Sequence, residues 1–196
     1  MAEVLLFHHA QGRTAGVAAL ADEIAGAGHT VHVPDLYDGR TFDDLPSGLA
    51  YGEQIGFDAV RSRGAAAAAD LPAGLVYVGL SLGVMPAQEL AQGRAGAAGA
   101  VLVNSCVPAE FFGPWPAGVA LQVHGADADD VFVGEGDLDA ARALVAQVEG
   151  AELFLYPSDQ HMFFDRSLPG HDEAATRRLT GRVLAFLDAI GKPDAS

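Results

Sequence analysis

Leu75-Val76-Tyr77-Val78-Gly79-Leu80-Ser81-Leu82-Gly83 is the stretch that decides the fold. An apolar run enters it, and Pro86 to Gln92 leaves it with helix-compatible composition. Strand, tight turn and helix in that order make the G-x-S-x-G string a nucleophile elbow. The turn is sharp, so the flanking glycines let backbone segments pass where a Cβ would clash. Ser81 then stands above the carboxyl edge of a sheet. The Leu82 N–H opens the next helix and faces any negative charge that develops there.

Outward from the elbow the chain alternates. Val4-Phe7, Thr30-Val33, Leu75-Val78, Gly99-Asn104, Val119-Val123 and Leu153-Tyr156 read as short buried strands. Thr14 to Ala27, Gly52 to Asp70, Leu138 to Val148 and Asp172 to Ile190 read as helices, the last with the apolar stripe Leu179, Val183, Phe186, Leu187 and Ile190. Asp35 to Gly48, the Pro- and Gly-rich Val107 to Gly118, and the acidic Asp127 to Asp137 read as loops. Short Val/Leu/Phe strands alternating with helices predict an α/β fold with a mostly parallel sheet covered on both faces and little or no cap. No linker or repeat interrupts the chain, so a single domain over residues 1–196 is expected.

Composition narrows the partners. The 196 residues are 50% apolar and 19% charged, enough for one domain with a sizeable core. The net charge of −15, from 26 acidic and 11 basic residues, argues against nucleic acid or anionic membrane, both of which need basic surface. Cys106 is the single cysteine, so no disulfide is expected within the chain. The start shows no basic region ahead of Val4-Phe7, and no apolar run reaches membrane-spanning length. A cytoplasmic location is expected, and the oligomeric state is not legible.

Ligands of such sheets bind beyond the carboxyl ends of the strands. A serine hydroxyl needs a base, usually a histidine oriented by a carboxylate. Ser81, an acid in Asp127-Ala128-Asp129-Asp130, and His161 each follow a separate strand, in the chain order of the α/β-hydrolases. Asp129 is preferred as the acid because Asp130-Val131-Phe132-Val133 follows it; Asp127 is the main competitor and Asp130 the third, the spare aspartates capping turns. His171 is a rival base, although its neighbours Pro169, Gly170 and Asp172 suit a helix-entry loop. The loop His8 to Arg13 is expected to give a second oxyanion donor, the Arg13 N–H, beside that of Leu82. His8 and His9 lack a metal-ligand spacing, so no metal is expected. Cys106 reads as a small core residue. Gln11, Tyr51, Phe112 and Trp115 are candidates for the substrate pocket, with core packing an equal alternative.

At these residues the chain resembles the dienelactone hydrolase family. The matching pieces are Ala10-Gln11, Pro34-Asp35-Leu36-Tyr37, Ala50-Tyr51 with Phe57-Asp58, the elbow, the acid loop, and His161 with Phe163. The resemblance implies a compact, cofactor-free α/β-hydrolase that opens an enol-lactone ester. Three positions depart from it. Ser81 stands where the family usually has cysteine. Gly12 stands where a glutamate restrains that cysteine. Asp165, with Arg166 next to it, stands where the family places an arginine for the substrate carboxylate. The expectation is therefore a serine-nucleophile variant that cleaves a small ester, lactone or thioester. A non-catalytic hydrolase-like binding protein is the first alternative, and a metal-dependent hydrolase using His8, His9 and the aspartate loop is the second.

Overall fold

The computed structural model describes residues 1–191. Six strands form one parallel sheet: β1 (Glu3–Phe7), β2 (Thr30–His32), β3 (Leu75–Leu80), β4 (Gly99–Val103), β5 (Ala120–Ala126) and β6 (Glu152–Tyr156). Their order is β2-β1-β3-β4-β5-β6, with every neighbouring pair parallel. The chain winds one way from β1 to β2 and the other way from β3 onward. The switch point lies between β1 and β3, where the carboxyl ends leave a crevice.

The helices are α1 (Ala15–Gly26), α2 (Leu45–Ile55), α3 (Phe57–Ala69), α4 (Val84–Gly93), α5 (Asp130–Gly134), α6 (Asp137–Gln147) and α7 (Glu173–Ile190). Side chains alternate along each strand, and the two sets pack into separate cores. Val4, Leu6, Val76, Val78, Val101 and Val103 meet Val17, Leu20 and Ile24 of α1 and Leu179, Val183 and Leu187 of α7. Leu5, Phe7, Leu75, Tyr77, Leu102 and Val123 meet α3, α4 and α6 on the other face. With both faces covered, the strands need mostly apolar sequence; β5 departs from this with buried Gln122 and His124, whose side chains bond each other and Tyr156.

Thr14 and Asp172 cap α1 and α7 by accepting the N–H groups of Val17 and Ala175. Three local readings change. The helix read over 52–70 is two helices that break at Gly56, whose φ is 86°. The first of them starts inside the stretch read as loop, capped by Asp44. The acidic loop contains α5, one short turn capped by Asp129.

Two buried histidines give the fold a pH dependence. Burial lowers the pKa of His8 to about 4. Burial, helped by the charge of Arg182, lowers that of His124 to about 3. The folded state thus binds fewer protons than the unfolded chain below the ordinary histidine range, and stability falls as pH drops through that window. From about pH 7.5 to about pH 5 the two groups together cost on the order of 4 kcal/mol. Urea unfolding at both values is expected to show that loss, with His124→Gln removing about half of it. A flat profile would remove the assignment of both rings as neutral and buried.

Candidate active site

The elbow is built by close approach. A Cβ on Gly79 would lie 2.6 Å from the Val84 Cα, and one on Gly83 would lie 2.4 Å from the Phe7 carbonyl oxygen. Neither position accepts a larger residue without moving backbone. Ser81 itself has φ 48°, in the left-handed region that costs a non-glycine residue roughly 1–3 kcal/mol. The sheet and α4, packed on either side of the turn, hold it there.

The structure brings Ser81, His161 and Asp129 together. Ser81 Oγ is 2.8 Å from His161 Nε2, and His161 Nδ1 is 2.5 Å from Asp129 Oδ2. Asp129 is 2% exposed, and its other oxygen accepts the Val131 N–H at 3.0 Å. With Nδ1–H donated to the carboxylate, Nε2 keeps its lone pair for the serine proton. The spare aspartates do local work. Asp127 accepts the Ser158 N–H and ties the loops after β5 and β6 together. Asp130 is exposed in the first turn of α5. His171 lines surface hollows with Ser158, Asp172 and Thr176, away from Ser81.

The turn after β1 is anchored from beneath. His9 and Asp165 are fully buried, with His9 Nε2 2.8 Å from Asp165 Oδ2. His9 Nδ1 accepts the Gln11 N–H at 3.2 Å, so the ring proton sits on Nε2 and is donated to Asp165. Thr14 and Ser167 hydroxyls and the Ser167 N–H also donate to that carboxylate. Burial alone would raise the Asp165 pKa, but the hydrogen bonds from His9, Ser167 and Thr14 win and hold it at about 2. His8 is spent as well: Nδ1 donates to the His9 carbonyl, and Nε2 accepts the Leu36 N–H at 2.9 Å. Both rings are thus committed to joining loops. The pair His8-His9, weighed in the sequence against metal binding, gave no sign of the His9–Asp165 bond, because 156 positions separate its partners.

The pocket candidates divide. Gln11 lines a cavity of about 280 Å³ beside His161, with Asp43, Asp44, Leu45, Met162 and Leu168. Tyr51 sits in an aromatic cluster with Tyr37 and Phe42, and the Arg40 guanidinium lies 5.0 Å over its ring. Trp115 lies at the wrong end of the sheet for a wall of this site. Its indole N–H donates to Val119, just before β5 begins, beside Gln147 to Glu149. Phe112 meets Phe111 edge to face and has the guanidinium of Arg61 over its ring, outside α3 and α4. The loop from Cys106 to Gly118 runs from the carboxyl end of β4 down α4, held by Gln88 and Gln92, so its aromatic residues leave the crevice. Cys106 is buried, and burial beside Asp137 raises its thiol pKa to about 12, far from a thiolate nucleophile.

Asp165 is also not in the crevice, and Arg166 turns outward to Glu23 on α1. The Arg13 side chain is exposed and reaches the Val33 carbonyl.

A serine on a left-handed strand-to-helix turn, placed at the switch point of a parallel sheet, is the architecture of the α/β-hydrolases. Within that class the chain belongs to the dienelactone hydrolase family, whose sequence model matches residues 1–191, and the protein is a hydrolase. Similar solved structures include a dienelactone hydrolase from Anabaena variabilis, 16% identical with a TM-score of 0.71, covering 96% of this chain and 86% of that one. A dienelactone hydrolase-like promiscuous phosphotriesterase from metagenomic libraries is 17% identical with a TM-score of 0.66, covering 97% and 87%. A cold-adapted esterase from an Arctic intertidal metagenomic library is 19% identical with a TM-score of 0.67, covering 97% and 83%. At such identities the likeness is one of fold. No curated protein matches the chain significantly. Among the described residues, no helix is long and apolar enough to cross a membrane.

Proposed function

We propose that this chain is a serine hydrolase of small neutral esters or lactones. The observation that carries the reading is the unbroken relay from Ser81 Oγ through His161 to Asp129. Ser81 attacks the carbonyl carbon while His161 Nε2 takes its proton. The tetrahedral intermediate collapses as His161 returns that proton to the leaving oxygen. Water then repeats the sequence on the acyl-enzyme and regenerates Ser81. Asp129 holds the imidazole in the working tautomer and balances its charge.

The oxyanion is stabilised by the Leu82 N–H and by one donor from the turn after β1. Gln11, Gly12 and Thr14 already donate their N–H groups to His9 Nδ1, the His9 carbonyl and the Gly12 carbonyl. The Arg13 N–H, with no acceptor among the described residues, keeps its place as our second donor.

The cavity beside His161 carries Asp43 and Asp44 and no arginine or lysine. A carboxylate on the substrate would meet like charge there, and Arg166 is occupied elsewhere. Neutral short-chain esters are expected to show kcat/KM at least about tenfold above that of a carboxylate-bearing dienelactone of similar size. Side-by-side kinetics check this, and a preference for the dienelactone would reverse it. The reaction class itself is tested by fluorophosphonate labelling with mass mapping, which is expected to place the adduct on Ser81.

A further inference from the structure

Asn104 follows β4 directly and is fully buried, with φ 51°. Asparagine enters the left-handed region more readily than most residues, but doing so still costs free energy, so something at this position must hold it. The side chain supplies the reason. Its Nδ2 donates to the backbone carbonyl of His161. Its Oδ1 accepts the Ala126 N–H at 3.0 Å. Its own N–H donates to the His124 carbonyl at 2.8 Å. One amide thus joins the end of β4, the end of β5 and the loop that carries the histidine. The amide orientation is fixed, because one partner is an acceptor and the other a donor.

We infer that Asn104 is a positioning residue for His161, clamping its backbone so that the imidazole meets Ser81 and Asp129 together. The role rests on the reading of Ser81, His161 and Asp129 given under the proposed function. His161 lies in an irregular turn, where no sheet ladder restrains its carbonyl. The two contacts of its ring fix the direction of the imidazole, and the clamp fixes the height from which it projects. It also ties that height to Ala126, three residues before Asp129, so base and acid are referenced to the same side chain. Asparagine alone meets the requirement. Leucine has neither group, an ionised aspartate has no donor for the carbonyl, and glycine suits the backbone but spans nothing.

The test compares N104G and N104D with the wild-type protein. Glycine relieves the left-handed backbone and removes the clamp, so fold and activity are separated. N104D keeps an acceptor for the Ala126 N–H and sets a carboxylate against the His161 carbonyl. Both variants are expected to lose roughly 100-fold in kcat with KM changed by less than about twofold, as for a displaced catalytic group. The downfield proton resonance of the His161–Asp129 hydrogen bond, visible by NMR without any substrate, is expected to shift or broaden in both. Wild-type kcat in N104G together with an unmoved resonance would overturn the proposal. If N104D does not fold, N104G decides alone. Absence of fluorophosphonate labelling in the wild-type protein would instead sink the hydrolase mechanism, and the resonance would still decide the clamp.

Discussion

Ser81→Ala is expected to abolish ester hydrolysis while leaving the fold intact. The residue is 6% exposed, and its hydroxyl makes its one side-chain contact with His161. Removing that oxygen takes away the proposed nucleophile and leaves the packing of the elbow unchanged, because Gly79 and Gly83 make the close approaches. Members of such a relay act as a unit, so kcat is expected to fall by roughly a thousandfold or more. What remains comes from binding and the oxyanion donors. Turnover of p-nitrophenyl acetate measures the loss, and the fluorophosphonate adduct should vanish with it. A purified variant that keeps wild-type turnover would remove Ser81 from the mechanism.

Asp129→Asn is expected to be comparably damaging. The carboxylate accepts Nδ1–H of His161 at 2.5 Å and the Val131 N–H at 3.0 Å. An amide in its place can present N–H to Nδ1 and force the ring proton onto Nε2, where it blocks the serine. A loss of roughly 10³- to 10⁴-fold in kcat is expected from the wrong tautomer. Asp127→Asn loosens a contact between two loops at 3.3 Å, and Asp130→Asn alters an exposed helix turn. Each should stay within about threefold of wild type, as surface changes away from the reacting atoms usually do. The three kcat values decide the matter. A severe Asp127→Asn with a mild Asp129→Asn would move the acid by two residues.

The elbow, the strand-after-strand spacing and the order of serine, acid and histidine were legible because each is local. Apolar runs bounded by Gly and Pro mark strands wherever they pack, and a chemically constrained turn needs the same few residues in any setting. The break at Gly56 was harder to see. A glycine inside a helical pattern is tolerated or not according to what the two halves pack against, and here Gly56 takes φ 86° and separates α2 from α3. The acid loop was legible, with Asp129 preferred over Asp127 and Asp130 on the residues that follow it. Only its burial beside His161 separates Asp129 from its neighbours.

The sequence by itself determined the fold class, the sheet-edge location of the chemistry and the residue types that could carry it. Periodicity and turn composition are properties of short windows, and a short window is what a chain displays. Tertiary structure decided everything that depends on which distant residues meet. Asp165, which stands where the resemblance places a substrate-binding arginine, is the buried hub that joins the turn after β1 to the loop after His161. Trp115 and Phe112 are by their aromatic character equally candidates for pocket wall and for core packing, and the loop bearing them runs down α4 and away from the crevice. Asn104 looked like the polar end of a strand, yet its amide spans 57 positions to reach His161. Such contacts follow from the packing of whole elements, and no local pattern encodes them.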